Sequence, residues 1–264
     1  MKKNYIIIIA VVGVILILVG GFLVWRSRRT GEAVPTIEPE GTLIETTLKE
    51  RPYITLTPSS DGHWLTIEVS QIKDADSLEY ELLYNTESGA TQGSINTVKL
   101  KGESSYSKRI LLGSESSGKF KYDEGVTQGT VTVRLRGGPG TRKFVTEFHL
   151  QQEDEELTSN DNNFSVEGTI PKTNFYVTMH TVGLPGEFEG EVITGPYESF
   201  SSGASTIKDG IVSLKVTEEK EEAKLYSWSG TKWVEEEGEI EDRVISTDIS
   251  SLTTFILASE KTTE

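Results

Sequence analysis

Hydrophobic positions along the chain follow two different rules. Residues 5–25, YIIIIAVVGVILILVGGFLVW, are all apolar, glycine or aromatic. Beyond them the apolar residues recur at every second position. In HWLTIEVS, Leu65, Ile67 and Val69 alternate with Thr66, Glu68 and Ser70. LEYELLY repeats the pattern with Leu78, Tyr80, Leu82 and Tyr84. GTVTVRLRG sets Val131, Val133 and Leu135 against Arg134 and Arg136, and FVTEFHL adds Phe144, Thr146, Phe148 and Leu150. A period of two is that of a strand with one buried face, because successive side chains leave a pleated backbone on opposite sides.

Turn-forming strings separate these runs: SSDG, TESGATQG, GSESSG and RGGPGTRK. Alternating strands divided by such turns, with no long stretch of helical period, predict antiparallel sheets packed face to face. Strand number and spacing predict an all-β chain of two tandem antiparallel β-sandwiches, immunoglobulin-like or fibronectin-III-like, after a single N-terminal transmembrane helix. Composition places the boundary. Residues 151–163, QQEDEELTSNDNN, are polar throughout and interrupt the strand rhythm. The expected division is a β-sandwich over 52–152, a linker over 153–163 and a second β-sandwich over 164–260, with 261–264 a tail. In the second, Phe175, Val177 and Met179 alternate, as do Val212, Leu214 and Val216. LYSWSGTKWVEEE reads as a hairpin with Ser229 and Gly230 at its turn and Trp228 and Trp233 on its arms.

The 21 residues of the first run span about 31 Å as a helix, the thickness of a bilayer's hydrocarbon core. Tyr5 and Trp25 stand at its ends, where amphipathic rings favour the interface. The run exceeds the apolar region of a cleaved signal peptide and is followed by Arg26, Arg28 and Arg29, so it is expected to stay as an anchor. Residues 1–4 then form a short cytoplasmic tail, and the protein is a single-pass membrane protein with its C-terminal domains extracytoplasmic. Residues 26–51 carry Pro35, Pro39 and several glutamates with little apolar periodicity, and are expected to form an acidic stalk.

Charge narrows the partners. The chain has 26 Lys and Arg against 41 Asp and Glu, a net charge of −15, and five of the basic residues flank the apolar run. So acidic a soluble part repels phosphate backbones, which argues against nucleic acid as a partner. No cysteine is present, which removes disulfides, thiol catalysis and cysteine-held metals.

Candidate chemistry is sparse. The three histidines, His63, His149 and His180, lie beside a turn or on the polar side of alternating strands, and no nucleophile or zinc motif surrounds them. Trp64, Trp228 and Trp233 are candidates for a sugar-stacking platform or for core packing. Arg134, Arg136, Arg142 and Lys143 form a basic island that reads as protection of a sheet edge. Calcium takes six to eight oxygen ligands, and Glu155, Asn160, Asp161 and Asn162 in the linker are the candidate set. The string SNDNN resembles the inter-domain calcium linker of cadherins, with Thr158 where that family has an aspartate. No other cofactor is expected. These features together lead to a non-enzymatic protein, held in a membrane through residues 5–25, with a structural or adhesive role and a protein or glycan ligand. The alternatives are an accessory subunit of an envelope-spanning complex and, last, a hydrolase with an unrecognised carboxylate site.

Overall fold

The computed structural model describes residues 43–138, 140–217 and 223–259. The expected tail over 1–4, the membrane helix over 5–25 and the end of the chain over 261–264 lie outside the described residues. Among the described residues no helix is long and apolar enough to cross a membrane.

Nineteen strands and one 3-10 turn, Leu48–Glu50, make up the regular structure of the described residues. The first nine strands are β1 (Tyr53–Pro58), β2 (Trp64–Ser70), β3 (Ser77–Asn85), β4 (Thr91–Lys99), β5 (Tyr106–Leu111), β6 (Gly113–Ser116), β7 (Lys119–Tyr122), β8 (Gln128–Gly137) and β9 (Gly140–Gln152). They are followed by β10 (Glu156–Thr158), β11 (Phe164–Thr169), β12 (Phe175–His180), β13 (Glu191–Ser201) and β14 (Thr206–Lys215). The last five are β15 (Lys224–Trp228), β16 (Trp233–Glu236), β17 (Glu239–Glu241), β18 (Val244–Ser251) and β19 (Phe255–Ser259).

These strands make several antiparallel sheets. The largest has nine strands in the order β16-β15-β19-β13-β12-β9-β8-β3-β4. A three-stranded sheet, β1-β2-β5, and a five-stranded sheet, β10-β11-β14-β18-β17, accompany it, and β6 and β7 form a separate hairpin. The period-two runs place their apolar residues as the alternation requires. Leu65, Ile67 and Val69 of β2 are fully buried, as are Leu78 and Leu82 of β3 and Val131, Val133 and Leu135 of β8. Together with Phe144, Phe148 and Leu150 of β9 they form the first core, between the three-stranded sheet and one face of the large sheet. The second core gathers Leu157, Phe164, Val166, Val212, Leu214 and Ile245 of the five-stranded sheet against Tyr176, Tyr197, Leu225, Phe255 and Leu257.

Strand β12 belongs to both. Val177 and Met179 pack in the first core while Tyr176, between them on the pleat, packs in the second. The two cores therefore lie on opposite faces of the nine-stranded sheet. From Tyr176 to Met179 no residue of β12 exceeds 2% exposure. Its one polar member there, Thr178, is hydrogen-bonded to Ser199 at 2.8 Å. β19 repeats the arrangement: Phe255 and Leu257 face the second core, Ile256 and Ala258 a third cluster with Leu184 and Tyr226.

The stretch expected as a linker, 153–163, contains β10 and the turn into β11. The main-chain ladder passes from β9 directly to β12, pairing Phe148 with Met179 and Leu150 with Val177. Of the expected stalk, residues 43–51 lie against this body. The Ile44 amide donates to the Thr141 carbonyl, and Leu48 packs on the third cluster.

Met179→Ala removes a side chain wedged between β9, β13 and the first core, so a loss of about 2–5 kcal/mol is expected. Urea denaturation of the variant measures it; a change below about 0.5 kcal/mol, the scale of a surface substitution, would contradict the double burial of β12.

Candidate functional site

Two turns 100 residues apart share one set of hydrogen bonds. In the first, between β1 and β2, the Ser59 hydroxyl donates to the Asp61 carboxylate at 2.5 Å, the His63 amide donates to the same carboxylate, and the Trp64 amide donates back to Ser59. In the second, between β10 and β11, Ser159, Asp161, Asn163 and Phe164 make the same contacts. Each turn places its fourth residue in the left-handed region: Gly62 at φ +70° and Asn162 at φ +55°. Glycine and asparagine are the residues that tolerate that conformation.

The second turn contains three of the four candidate calcium ligands, and its own hydrogen bonds engage two of them. Asp161 accepts from the Ser159 hydroxyl, from the Asn163 amide and side chain, and from the Tyr197 hydroxyl. The Asn160 side chain donates to the Phe148 carbonyl at 3.1 Å. Asn162 supplies the left-handed turn position, and Glu155 is exposed ahead of β10. No cluster of three or more His, Cys, Asp or Glu that could hold a metal occurs among the described residues. Burial raises the Asp161 carboxyl, but the donors from Ser159, Tyr197 and Asn163 outweigh it and hold the group below the usual carboxylate range.

His63 stands beside the β1–β2 turn and His149 on the face of β9 opposite its apolar residues, as alternation puts them, but His180 does not face water. His180 ends β12, where both faces are covered. Its Nδ1 accepts the Val182 amide at 3.0 Å, and its ring meets Tyr197 edge-on at 5.2 Å. Burial lowers its pKa, so the ring is neutral. His149 places Nδ1 2.8 Å from the Thr158 carbonyl, fastening β10 to the large sheet. The basic island also has another role. Arg134 and Arg136 stand on β8, an interior strand, and pair with Glu79 at 2.8 and 3.0 Å. They neutralise carboxylates on the sheet's outer face instead of guarding an edge. Arg142 donates to the Lys73 and Asp74 carbonyls.

One carboxyl sits inside the fold. Glu198 of β13 accepts hydrogen bonds from the Tyr53 hydroxyl of β1 at 2.7 Å and from the Thr254 hydroxyl. Desolvation raises its pKa more than these two donors lower it. Burial and the neighbouring Glu198 likewise push the Tyr53 phenol up. The alternation gave no hint of this cluster, because its three members, two on strands and Thr254 in the β18–β19 connection, come from segments far apart in the sequence.

The tryptophans divide between two places. Trp228 and Trp233 face each other across the β15–β16 hairpin, ring centroids 5.4 Å apart, with Phe188 edge-on to Trp233. Trp64 belongs to a different aromatic group on the surface. Arg109 of β5 lies 4.4 Å above its ring, Phe120 of β7 meets it edge-on at 5.5 Å, and Tyr122 stacks on His63 at 3.9 Å. Phe120 and Tyr122 are 46% and 38% exposed, high for aromatic rings that a core could have taken. Of the charges on β5 and β7, YSKRIL and KFKY, Arg109 stands at this surface, while Lys119 and Lys121 alternate with Phe120 and Tyr122 on the pleat and Glu115 of β6 pairs with Phe120. A sequence signal existed in the spacing of Lys and aromatic residues in KFKY, within a chain that is otherwise acidic. Such a column offers ring faces for stacking and one cation, Arg109, for an anion.

Comparison with protein families, curated proteins and solved structures finds no match to this chain.

Two stability measurements test the polar network. Asp161→Ala frees the buried ends of Ser159 and Tyr197, with an expected cost of about 1–3 kcal/mol, whereas Asp61→Ala, in the exposed copy of the turn, is expected to cost less. Equal losses by urea denaturation would refute the difference. For Glu198 the folded pKa is raised, so its contribution is fully present below the unfolded value of about 4.3 and is lost as pH rises through the folded value. Glu198→Gln should therefore flatten the decline in stability above that unfolded pKa and raise the urea midpoint at neutral pH; an unchanged slope would show that Glu198 ionises normally.

Proposed function

We propose that the protein is a non-enzymatic, membrane-anchored surface or envelope protein that presents two β-sandwiches outside the cytoplasm and binds a protein or glycan ligand. The membrane part of this reading is supported by the length and apolarity of residues 5–25, bracketed by Tyr5 and Trp25. The sandwich part is supported by the first core, enclosed between β1-β2-β5 and the β4-β3-β8-β9 portion of the large sheet. Two sheets of three and four strands around one core suit the immunoglobulin and fibronectin-III type of sandwich.

The single observation that carries the binding role is the exposed column of Arg109, Trp64, Phe120, Tyr122 and His63. Large rings left at a surface beside the Arg109 guanidinium mark a contact region, since folding alone gains nothing from exposing them. The ligand it suits carries stackable faces and negative charge: an acidic glycan, or a protein surface with aromatic and carboxylate groups. The alternative, an accessory subunit of an envelope-spanning complex, is favoured by a separate observation, the uncovered edge strand β4.

Protease treatment of intact cells expressing the full chain tests the topology. Digestion before lysis is the expected result, and protection until lysis would overturn the outward placement. On the same cells, Phe120→Ala combined with Tyr122→Ala is expected to weaken adhesion to acidic-glycan-coated or protein-coated surfaces at least about tenfold, about 1.4 kcal/mol. Unchanged adhesion would remove the column from the binding role.

A further inference from the structure

Strand β4 closes the nine-stranded sheet, pairing with β3 over nine residue pairs from Ser77–Lys99 to Asn85–Thr91. No second strand pairs with it among the described residues. The hydrogen-bonding phase of the β3–β4 ladder is fixed at both ends: the Thr86 amide donates to the Ala90 carbonyl, and the Leu100 amide to the Asp76 carbonyl. Bonded and non-bonded pairs alternate in an antiparallel ladder, so the even residues of β4 bond to β3. The amides and carbonyls of Thr91, Gly93, Ile95, Thr97 and Lys99 point outward, unclaimed by the sheet.

Most other sheet edges among the described residues carry charge; β1, YITLTP, does not, but its Ile54 amide is taken by the Thr181 carbonyl and the strand ends in Pro58. β16 ends in Glu235 and Glu236, β17 has Glu239 and Glu241, and β5 has Lys108 and Arg109. Charges on edge strands are a common protection against pairing with another chain. β4, TQGSINTVK, has no acid, no proline and a single cation at its end. Behind it, Glu79 and Glu81 of β3 are paired with Arg134 and Arg136. In a chain of net charge −15 this is a strip that another copy can approach without carboxylates meeting.

We infer that β4 is the interface between two copies of this chain, joined antiparallel about a two-fold axis through Ile95. That register uses all five outward residues, setting Ile95 against its own copy, Gly93 against Thr97, and Thr91 against Lys99. No like charges face each other. The apolar contact is on the sheet's outer face. Ile95 is 57% exposed and Leu83 41%, and Leu83 lies so close over Gly93 that a Cβ there would fall 2.6 Å from its Cδ2. Pairing extends this into a seam of Leu83, Ile95 and their two copies. The interface is isologous, as a closed dimer requires. It does not depend on the ligand-binding reading, and it competes with the accessory-subunit reading for the same edge, since here the occupant is the same chain.

The absence of cysteine makes the test clean. Facing residues of a bonded antiparallel pair have Cα atoms about 5.5 Å apart, within disulfide range. Ile95→Cys in the full chain, oxidised in the cells that express it, is expected to run at twice the 29.2 kDa of the monomer. Val145→Cys, 55% exposed on the same sheet face but on interior strand β9, is expected to stay single. Ile95→Lys leaves the backbone intact and sets like charges opposite each other. It should raise the dimer dissociation constant, read by light scattering of the full chain in detergent, about tenfold or more. Ile95→Cys remaining as monomeric as Val145→Cys would overturn the interface, as would a wild-type dimer unaffected by Ile95→Lys.

Discussion

The double burial of β12 is the constraint from which the rest of the fold follows. Had β9 and β13 each ended their sheets, both would have left main-chain donors and acceptors bare along their inner edges. β12 takes both ladders, pairing with β9 through Phe175–Met179 and with β13 through Tyr176–His180. Because side chains alternate across a strand, one segment of six residues feeds two cores lying on opposite faces. Its sequence, FYVTMH, fits that demand, since every residue but the final histidine and Thr178 is apolar or aromatic.

Burial on both faces has a polar consequence. Groups that an ordinary half-buried sheet would turn to water must find partners inside, because an unpaired buried donor or acceptor costs about 1–3 kcal/mol. Thr178 finds Ser199, and Glu198 finds Tyr53 and Thr254. Tyr197 reaches Asp161 in the β10–β11 turn while its ring caps His180. These contacts run along β12 and β13 and bring in β1, the β18–β19 connection and that turn. The same strand pair that joins the cores thus holds the polar side chains in place around it.

How much of this was legible in the sequence depended on locality. β2, β3, β8 and β9 were readable because each buries one face, so its pattern is complete within the strand. In β12, Phe175, Val177 and Met179 were readable as an alternating face, but the burial of Tyr176, Thr178 and His180 was not. That depends on the five-stranded sheet, whose arrival over the other face leaves no trace in six residues. Arg134 and Arg136 looked like edge residues for a similar reason: their partners Glu79 and Glu81 lie more than 50 positions away, and strand order is set by long-range pairing. The string SNDNN was conspicuous for its oxygen-bearing side chains. Its likeness to SSDGHW, 100 residues earlier, carried the more local meaning of a serine and an aspartate closing a turn around a left-handed residue.

The surface charge separates what the protein's exposed regions can meet. An acidic surface keeps copies apart, and the glutamates on β16 and β17 extend that repulsion to two of its sheet edges. It is broken in two places of different character. Along β4 it is broken by neutrality, leaving main-chain groups whose natural partner is another strand. At β5 and β7 it is broken by Arg109 beside exposed rings, which under the proposed binding role would meet a stackable ligand. The first lies on the large sheet and the second on the three-stranded sheet and hairpin of the opposite layer, so occupying one does not cover the other. Pairing through β4 would then leave an aromatic column free on each copy. When two linked sites can reach their ligands together, the second contact forms at a high effective concentration, and individually weak contacts hold far longer than either alone. A modest exposed column and a modest neutral edge are in that sense complementary, since each compensates for the limited area of the other.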